Sequence, residues 1–166
     1  HFTNGFEPKN KEDGKEVKLW AKRLNLPLRI YDITEEMIKI VISPKYGYGD
    51  TLNPCIDCKI LMLSKMKEFM GNGEIDFVAT GEVIGQRPMT QNKSTMRFIE
   101  KQAKLDGYIV RPLSYKLLKE TILEKEGIIK REKFYDINGR SRKIQMKLIE
   151  EFGINNYPQP AGGCLL

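Results

Sequence analysis

An α/β fold with a mostly parallel sheet is what this sequence predicts, on three observations. Short apolar runs alternate with amphipathic stretches of helical period along the 166 residues. Asn, Ser and Thr stand where helices would start, and Gly or Pro where they would stop. No internal repeat and no low-complexity tract interrupts the alternation.

His1-Phe2-Thr3 has the character of the tail of a buried strand. Val17, Trp20, Ala21 and Leu24 recur at helical spacing and predict a helix from Lys11 to Leu24, followed by a strand at Leu28-Arg29-Ile30-Tyr31. Thr34 is placed to cap a second helix with Glu35 and Glu36 in its first turn, Met37, Ile38, Val41 and Ile42 inward, and Pro44 as its stop. Tyr46-Gly47-Tyr48-Gly49-Asp50 reads as a loop. Asn53 as cap and Pro54 as first helical residue then open a helix to about Met70, with Ile56, Ile60, Leu63 and Met70 on one side and Gly71 closing it. Asp76-Phe77-Val78-Ala79-Thr80 reads as a buried strand, followed by a helix from near Asn92 to Leu105 stopped by Gly107. Tyr108-Ile109-Val110 is the next strand, Ser114 caps a helix ending at Gly127, Asn138-Gly139 marks a turn, and Ser141 starts a last helix running to Gly153.

With 40% hydrophobic residues the chain can bury one core, and its length is that of one domain. The net charge of +6 favours an anionic partner such as a nucleic acid or nucleotide. Nearly all of it sits between residues 127 and 147, where seven Lys or Arg face only Glu132 and Asp136. No apolar run is long enough to cross a bilayer and no signal-peptide pattern is present, so the expected location is the cytoplasm, with no membrane partner.

The chain has three cysteines: Cys55 and Cys58 as Cys-x-x-Cys at the start of a helix, and Cys164 in Pro160-Ala161-Gly162-Gly163-Cys164. The only histidine is His1, so the thiols are one ligand short of a closed four-coordinate zinc shell. An odd count argues against a secreted disulfide framework and for metal or redox chemistry. Three residues apart, Cys55 and Cys58 face the same way, where helix N-terminal amides and the positive dipole end favour the thiolate. The plain alternatives are that the pair packs as small hydrophobes and that Cys164 belongs to a frayed terminus.

Ligands of a parallel sheet bind outside the carboxyl ends of the strands, which singles out Thr80, Gly81, Glu82 and Arg87 in Thr80-Gly81-Glu82-Val83-Ile84-Gly85-Gln86-Arg87 as phosphate- or adenine-binding candidates. Gly-x-x-x-Gly is common, and it is neither a Walker loop nor a dinucleotide fingerprint. Lys130, Arg131, Lys133, Arg140, Arg142 and Lys143, interleaved with Phe134 and Tyr135, form a candidate RNA-binding surface, the alternative being a solvated hairpin and helix start.

Ala79-Thr80-Gly81-Glu82 after a strand, Asn53-Pro54-Cys55-Ile56-Asp57-Cys58-Lys59 opening a helix, and Val110-Arg111-Pro112-Leu113-Ser114 after the next strand resemble one family. It is the PP-loop ATP pyrophosphatases, or adenine-nucleotide α-hydrolases, in their tRNA thiolation branch. The likeness runs from about Lys11 to Cys164. It implies a Rossmann-like, HUP-type sheet flanked by helices and an activity in which ATP, with Mg2+, adenylates a tRNA base carbonyl before a sulfur nucleophile displaces AMP. By the same resemblance Cys55, Cys58 and Cys164 would be ligands of a [4Fe-4S] cluster, while other branches use a cysteine persulfide without a cluster. The implied partners are tRNA and a sulfur donor, either a cysteine desulfurase or inorganic sulfide.

The chain departs from the family pattern in two places. Glu82 stands where many relatives carry His, and the Ser-Gly-Gly-x-Asp-Ser loop is absent. The second departure leads to the expectation that the first strand, phosphate loop and first helix lie upstream, that the sheet is incomplete at its N-terminus, and that the chain alone is inactive. The ending Gly163-Cys164-Leu165-Leu166 leads to a matching expectation of further residues downstream. The expected division is an α/β domain over residues 1–127 and a basic extension over 128–166 that packs on it. Two other functions compete: a non-catalytic RNA-binding protein with a structural Zn2+, needing Asp57 or another carboxylate as fourth ligand, and an adenylating enzyme for a small metabolite. Target nucleoside and oligomeric state are left open.

Overall fold

The computed structural model describes residues 1–6, 14–49, 52–155 and 157. In them helices alternate with short parallel strands, so the fold class is α/β. Two compact units are resolved, one within His1–Cys58 and one within Lys59–Tyr157.

In the first unit β1 (Phe2–Thr3) pairs in parallel with β2 (Tyr31–Asp32), Phe2 opposite Tyr31 and Thr3 opposite Asp32. The predicted strand is therefore shifted past Leu28, Arg29 and Ile30 to the residues that face β1, and β1 itself is half-buried rather than buried. Between them lies α1 (Lys15–Arg23), whose Val17, Trp20 and Ala21 are half-buried while Leu24 is exposed; residues 11–13 of the predicted helix lie outside the described residues. α2 (Thr34–Ile42) follows β2 directly. Asp32 performs the capping expected of Thr34, its Oδ1 accepting from the Thr34 amide at 2.9 Å and hydroxyl at 2.6 Å. Met37 is buried, but Ile38 and Ile42 are exposed, so the buried face is narrower than the apolar pattern predicts.

α3 (Cys55–Gly71) contains the division between the units, after Cys58. Its end is set by Gly73, not Gly71. The Glu74 amide bonds back to the Phe69 carbonyl and the Gly73 amide to that of Met70, a closure that puts Gly73 at φ 71°, where a side chain would be strained.

In the second unit β3 (Val78–Ala79) and β4 (Ile109–Val110) are parallel, Val78 opposite Ile109 and Ala79 opposite Val110. The right-handed crossover expected of such a pair carries α4 (Lys93–Gln102), whose N-cap Asn92 accepts from the Thr95 amide at 2.8 Å. α4 stops earlier than predicted because Lys104 itself adopts φ 57°, and the Leu105 amide bonds to the Glu100 carbonyl. Gly107 serves a close approach instead of a helix end, since at φ 84° a Cβ there would lie 2.9 Å from Ile122 Cγ1.

The helix predicted from Ser114 to Gly127 is broken into a 3-10 turn (Tyr115–Leu117) and the four-residue α5 (Ile122–Lys125) capped by Thr121. Ser114 caps neither. Its buried hydroxyl donates to the Ile137 carbonyl at 2.6 Å and accepts from the Ile84 amide at 3.0 Å, joining three segments. Beyond a second 3-10 turn (Arg131–Lys133), the isolated parallel bridge of Ile84 and Asn138 adds a partner beside the loop after β3. α6 (Lys143–Glu151) buries Leu148 with Val83 and Ile137, while Tyr115, Val110 and Leu123 form another core cluster with Phe134 packed on it. Among the described residues no helix is long and apolar enough to cross a membrane.

Candidate functional site

Two arrangements carry chemistry, one in each unit. In the first, the Cys58 amide donates to the Pro54 carbonyl at 3.0 Å, so Pro54 is the cap residue and Cys55 the first helical position. The two cysteines are thus one position earlier than expected, still a turn apart on one face of α3, and both are half-buried thiols. The amides of the first turn point toward that end of the helix, the setting in which a thiolate or persulfide is held.

Asn53 does not cap α3, for its Oδ1 is buried with no hydrogen-bond partner among the described residues. The polar partner at this helix start is Asp57. Its Oδ1 accepts from the Lys45 amide at 3.0 Å and its Oδ2 from the Tyr46 amide at 3.1 Å, and the side chain is buried. This clasp ties the Lys45-Tyr46 backbone to the first turn of α3. With both oxygens engaged, Asp57 is a poor fourth ligand for zinc. Among the described residues no three of His, Cys, Asp and Glu converge as a metal site. Cys164 lies outside the described residues.

In the second unit the carboxyl ends of β3 and β4 deliver Glu82 and Arg111. Arg111 is 2% exposed and bridges two carboxylates, its Nε donating to Glu82 Oε2 at 2.9 Å and its Nη1 to Glu100 Oε1. Lys59 Nζ pairs with Glu82 Oε1, and the Thr80 hydroxyl donates to Glu82 Oε2 at 3.3 Å. Two cations balance two carboxylates, the condition under which burying charge is tolerable. The sequence singles out Glu82 as a nucleotide-binding candidate; the structure engages both its oxygens with protein groups and makes it a positioning residue for Thr80 and Arg111. Thr80 is half-buried, and Gly81 and Arg87 are exposed at the same strand end.

Burial pushes the Glu82 carboxyl up, but the charges and hydrogen bonds of Lys59 and Arg111 outweigh it and leave it below its ordinary value of 4.5. Burial also pushes Glu100 up; Arg111 opposes this, yet with Asp106 and Glu82 nearby the net shift is upward. The two therefore titrate with opposite effect on stability. Glu100, raised, binds its proton more tightly when folded, so the wild type gains stability relative to Glu100→Gln as pH falls through the raised value toward 4.5. Glu82, lowered, stabilises fully above 4.5, and the wild type loses stability relative to Glu82→Gln as pH falls through its folded value. Melting temperatures of the three proteins across the acid range should show these two opposite trends.

Of the basic candidates, Lys130, Lys133, Arg140, Arg142 and Lys143 are exposed. Arg131 is not presented in the same way. It holds Glu124 with Nε and Nη2, both at 2.7 Å, gives Nη1 to the Tyr115 and Leu118 carbonyls, and lies over the Tyr115 ring, 4.9 Å from its centroid. Its role is to anchor the segment that carries the other cations. Sequence reasoning missed Lys59, Glu100, Arg111 and Ser114 as parts of this site. The available signal was an arginine placed one residue past β4, at the same sheet edge as the acid three residues past β3.

Among known proteins, no curated protein and no solved structure matches the chain. The family model described as the tRNA methyl transferase HUP domain matches residues 2–151, nearly the whole length. With its parallel strands, crossover helices and polar strand ends, the chain belongs to the tRNA methyl transferase HUP-domain family, PP-loop-type α/β proteins that use ATP to modify tRNA.

Proposed function

We propose that the modification is thiolation. ATP adenylates the carbonyl oxygen of a tRNA base and pyrophosphate leaves; a sulfur nucleophile then attacks the activated carbon, and AMP departs with the former carbonyl oxygen. The observation that carries this is the pair of thiols, Cys55 and Cys58, one turn apart at the start of α3. A methyl transfer has no use for such a pair, whereas sulfur transfer needs a group that can hold and deliver reduced sulfur.

The donor set fits a thiolate-bound group as far as it is described, two sulfurs on one helical face. Cys55 and Cys58, with Cys164 as third ligand, would hold a [4Fe-4S] cluster, which when bound supplies an open iron for a hydrosulfide. Without a cluster, one of the three would carry a persulfide and another would resolve it as a disulfide. The sulfur comes from a cysteine desulfurase or inorganic sulfide. Thr80, Gly81 and Arg87 face the ATP and its Mg2+ at the strand edge, and Lys130, Lys133, Arg140, Arg142 and Lys143 meet tRNA phosphates. The engagement of Asp57 weighs against a structural zinc at Cys55 and Cys58.

The test incubates the whole protein, prepared without oxygen, with tRNA, ATP and sulfide. Thiolation predicts pyrophosphate release and a nucleoside heavier by sulfur for oxygen. A mass gain of one methyl group, or no pyrophosphate, would overturn it. Iron analysis of the same sample separates cluster from persulfide.

A further inference from the structure

An open cleft of about 640 Å3 in the second unit is lined by α4, β4 and the stretch from Leu117 to Lys125. No part of the proposed sulfur-transfer or nucleotide chemistry uses it. Lys93 and Arg97 line it from α4, and Lys119 and Lys125 from the later stretch. All four are exposed, and none takes part in an ion pair among the described residues. They outnumber the lining acids without such a pair, Asp106 and Glu120, while lining Arg111 and Glu100 neutralise each other within the buried network.

The volume admits a nucleotide-sized group. The only lining aromatic is Tyr115, which is 1% exposed with its hydroxyl bonded to Thr121 and Glu124, so the cleft offers no platform on which a base could stack. What it offers is cations without a carboxylate partner on two sides of a groove, the equipment for a phosphate backbone. Glu124, beside Lys125, holds Arg131, so exposed Lys130 and Lys133 follow on from the cleft along the chain.

We propose that this cleft receives a phosphodiester stretch of the tRNA, with Lys93 and Arg97 on one side and Lys119 and Lys125 on the other. The proposal rests on tRNA being the substrate and adds a second contact surface to that of residues 130–143. The test measures affinity for an unmodified tRNA transcript over a range of salt. Arg97→Gln with Lys119→Gln is compared with a matched pair, Lys101→Gln with Lys116→Gln, which removes the same charge from exposed positions of the same two segments outside the cleft. The cleft pair should weaken binding about ten-fold and lower the slope of log affinity against log salt by about 1.4, from roughly 0.7 per phosphate contact. The matched pair should do neither. Equal effects from both pairs, or no effect from the cleft pair while Arg140→Gln with Arg142→Gln weakens binding, would overturn the cleft and leave tRNA as substrate. A wild type that does not bind tRNA would overturn both.

Discussion

Cys55→Ala and Cys58→Ala should each cut tRNA thiolation by at least about 1,000-fold, the scale on which loss of a covalent participant is felt. Affinity for tRNA should stay unchanged, and pyrophosphate release should persist, since adenylation precedes the step that needs sulfur. The cost in stability should be about 1 kcal/mol or less, because both side chains are half-buried and small. Nucleoside analysis of digested tRNA, pyrophosphate assay and thermal melting read the three outcomes. If either variant retains thiolation, that thiol is not part of the sulfur path. If pyrophosphate release is lost as well, the cysteines act on ATP or on folding instead.

Arg111→Met should produce the largest loss of stability, about 3 to 5 kcal/mol, because removing one member of a buried ion network strands the others. Glu100 would lose its only ion-pair partner among the described residues, and Glu82 would keep only Lys59. Lys59→Met should cost less, since Lys59 is more exposed than Arg111 and Glu82 would keep the guanidinium. Adding Glu100→Gln to Arg111→Met should recover part of the loss by removing one uncompensated charge. Urea unfolding of the single and double variants measures both effects. No recovery in the double variant would mean that the loss comes from the packing of the Arg111 stem and not from unpaired charge.

The α/β class, the strand and helix order and the Cys55–Cys58 pair were all legible in the sequence, because hydrophobic period and local capping chemistry set them. The errors fall where a tertiary partner decides. Ile38 and Ile42 are apolar and yet exposed, Tyr31–Asp32 is a strand because β1 lies beside it, and Ser114 gives up capping to join Ile84 and Ile137. Helix ends were misplaced where glycine seemed the natural stop: Lys104 takes the left-handed position in α4, and Gly73 rather than Gly71 takes it in α3. The Glu82–Arg111–Glu100 network was invisible because its members come from three separate stretches and meet only when β3 and β4 pair. For the same reason Arg131 could not be told from its neighbouring cations: only Glu124 distinguishes it, seven residues away.

That clasp between Arg131 and Glu124 makes the covalent link between them redundant. Glu124 sits in α5, the Arg131 guanidinium also reaches the Tyr115 and Leu118 carbonyls, and residues 135 and 137 are sewn to Pro112 and Leu113 by backbone hydrogen bonds. The intervening Glu126, Gly127 and Ile128 are exposed, with Gly127 at φ 72°. Chain continuity at this point contributes little that the side-chain and backbone ties do not already supply. The stretch is therefore a natural place to open the polypeptide, for a circular permutant or an inserted reporter, without detaching the cations that follow it.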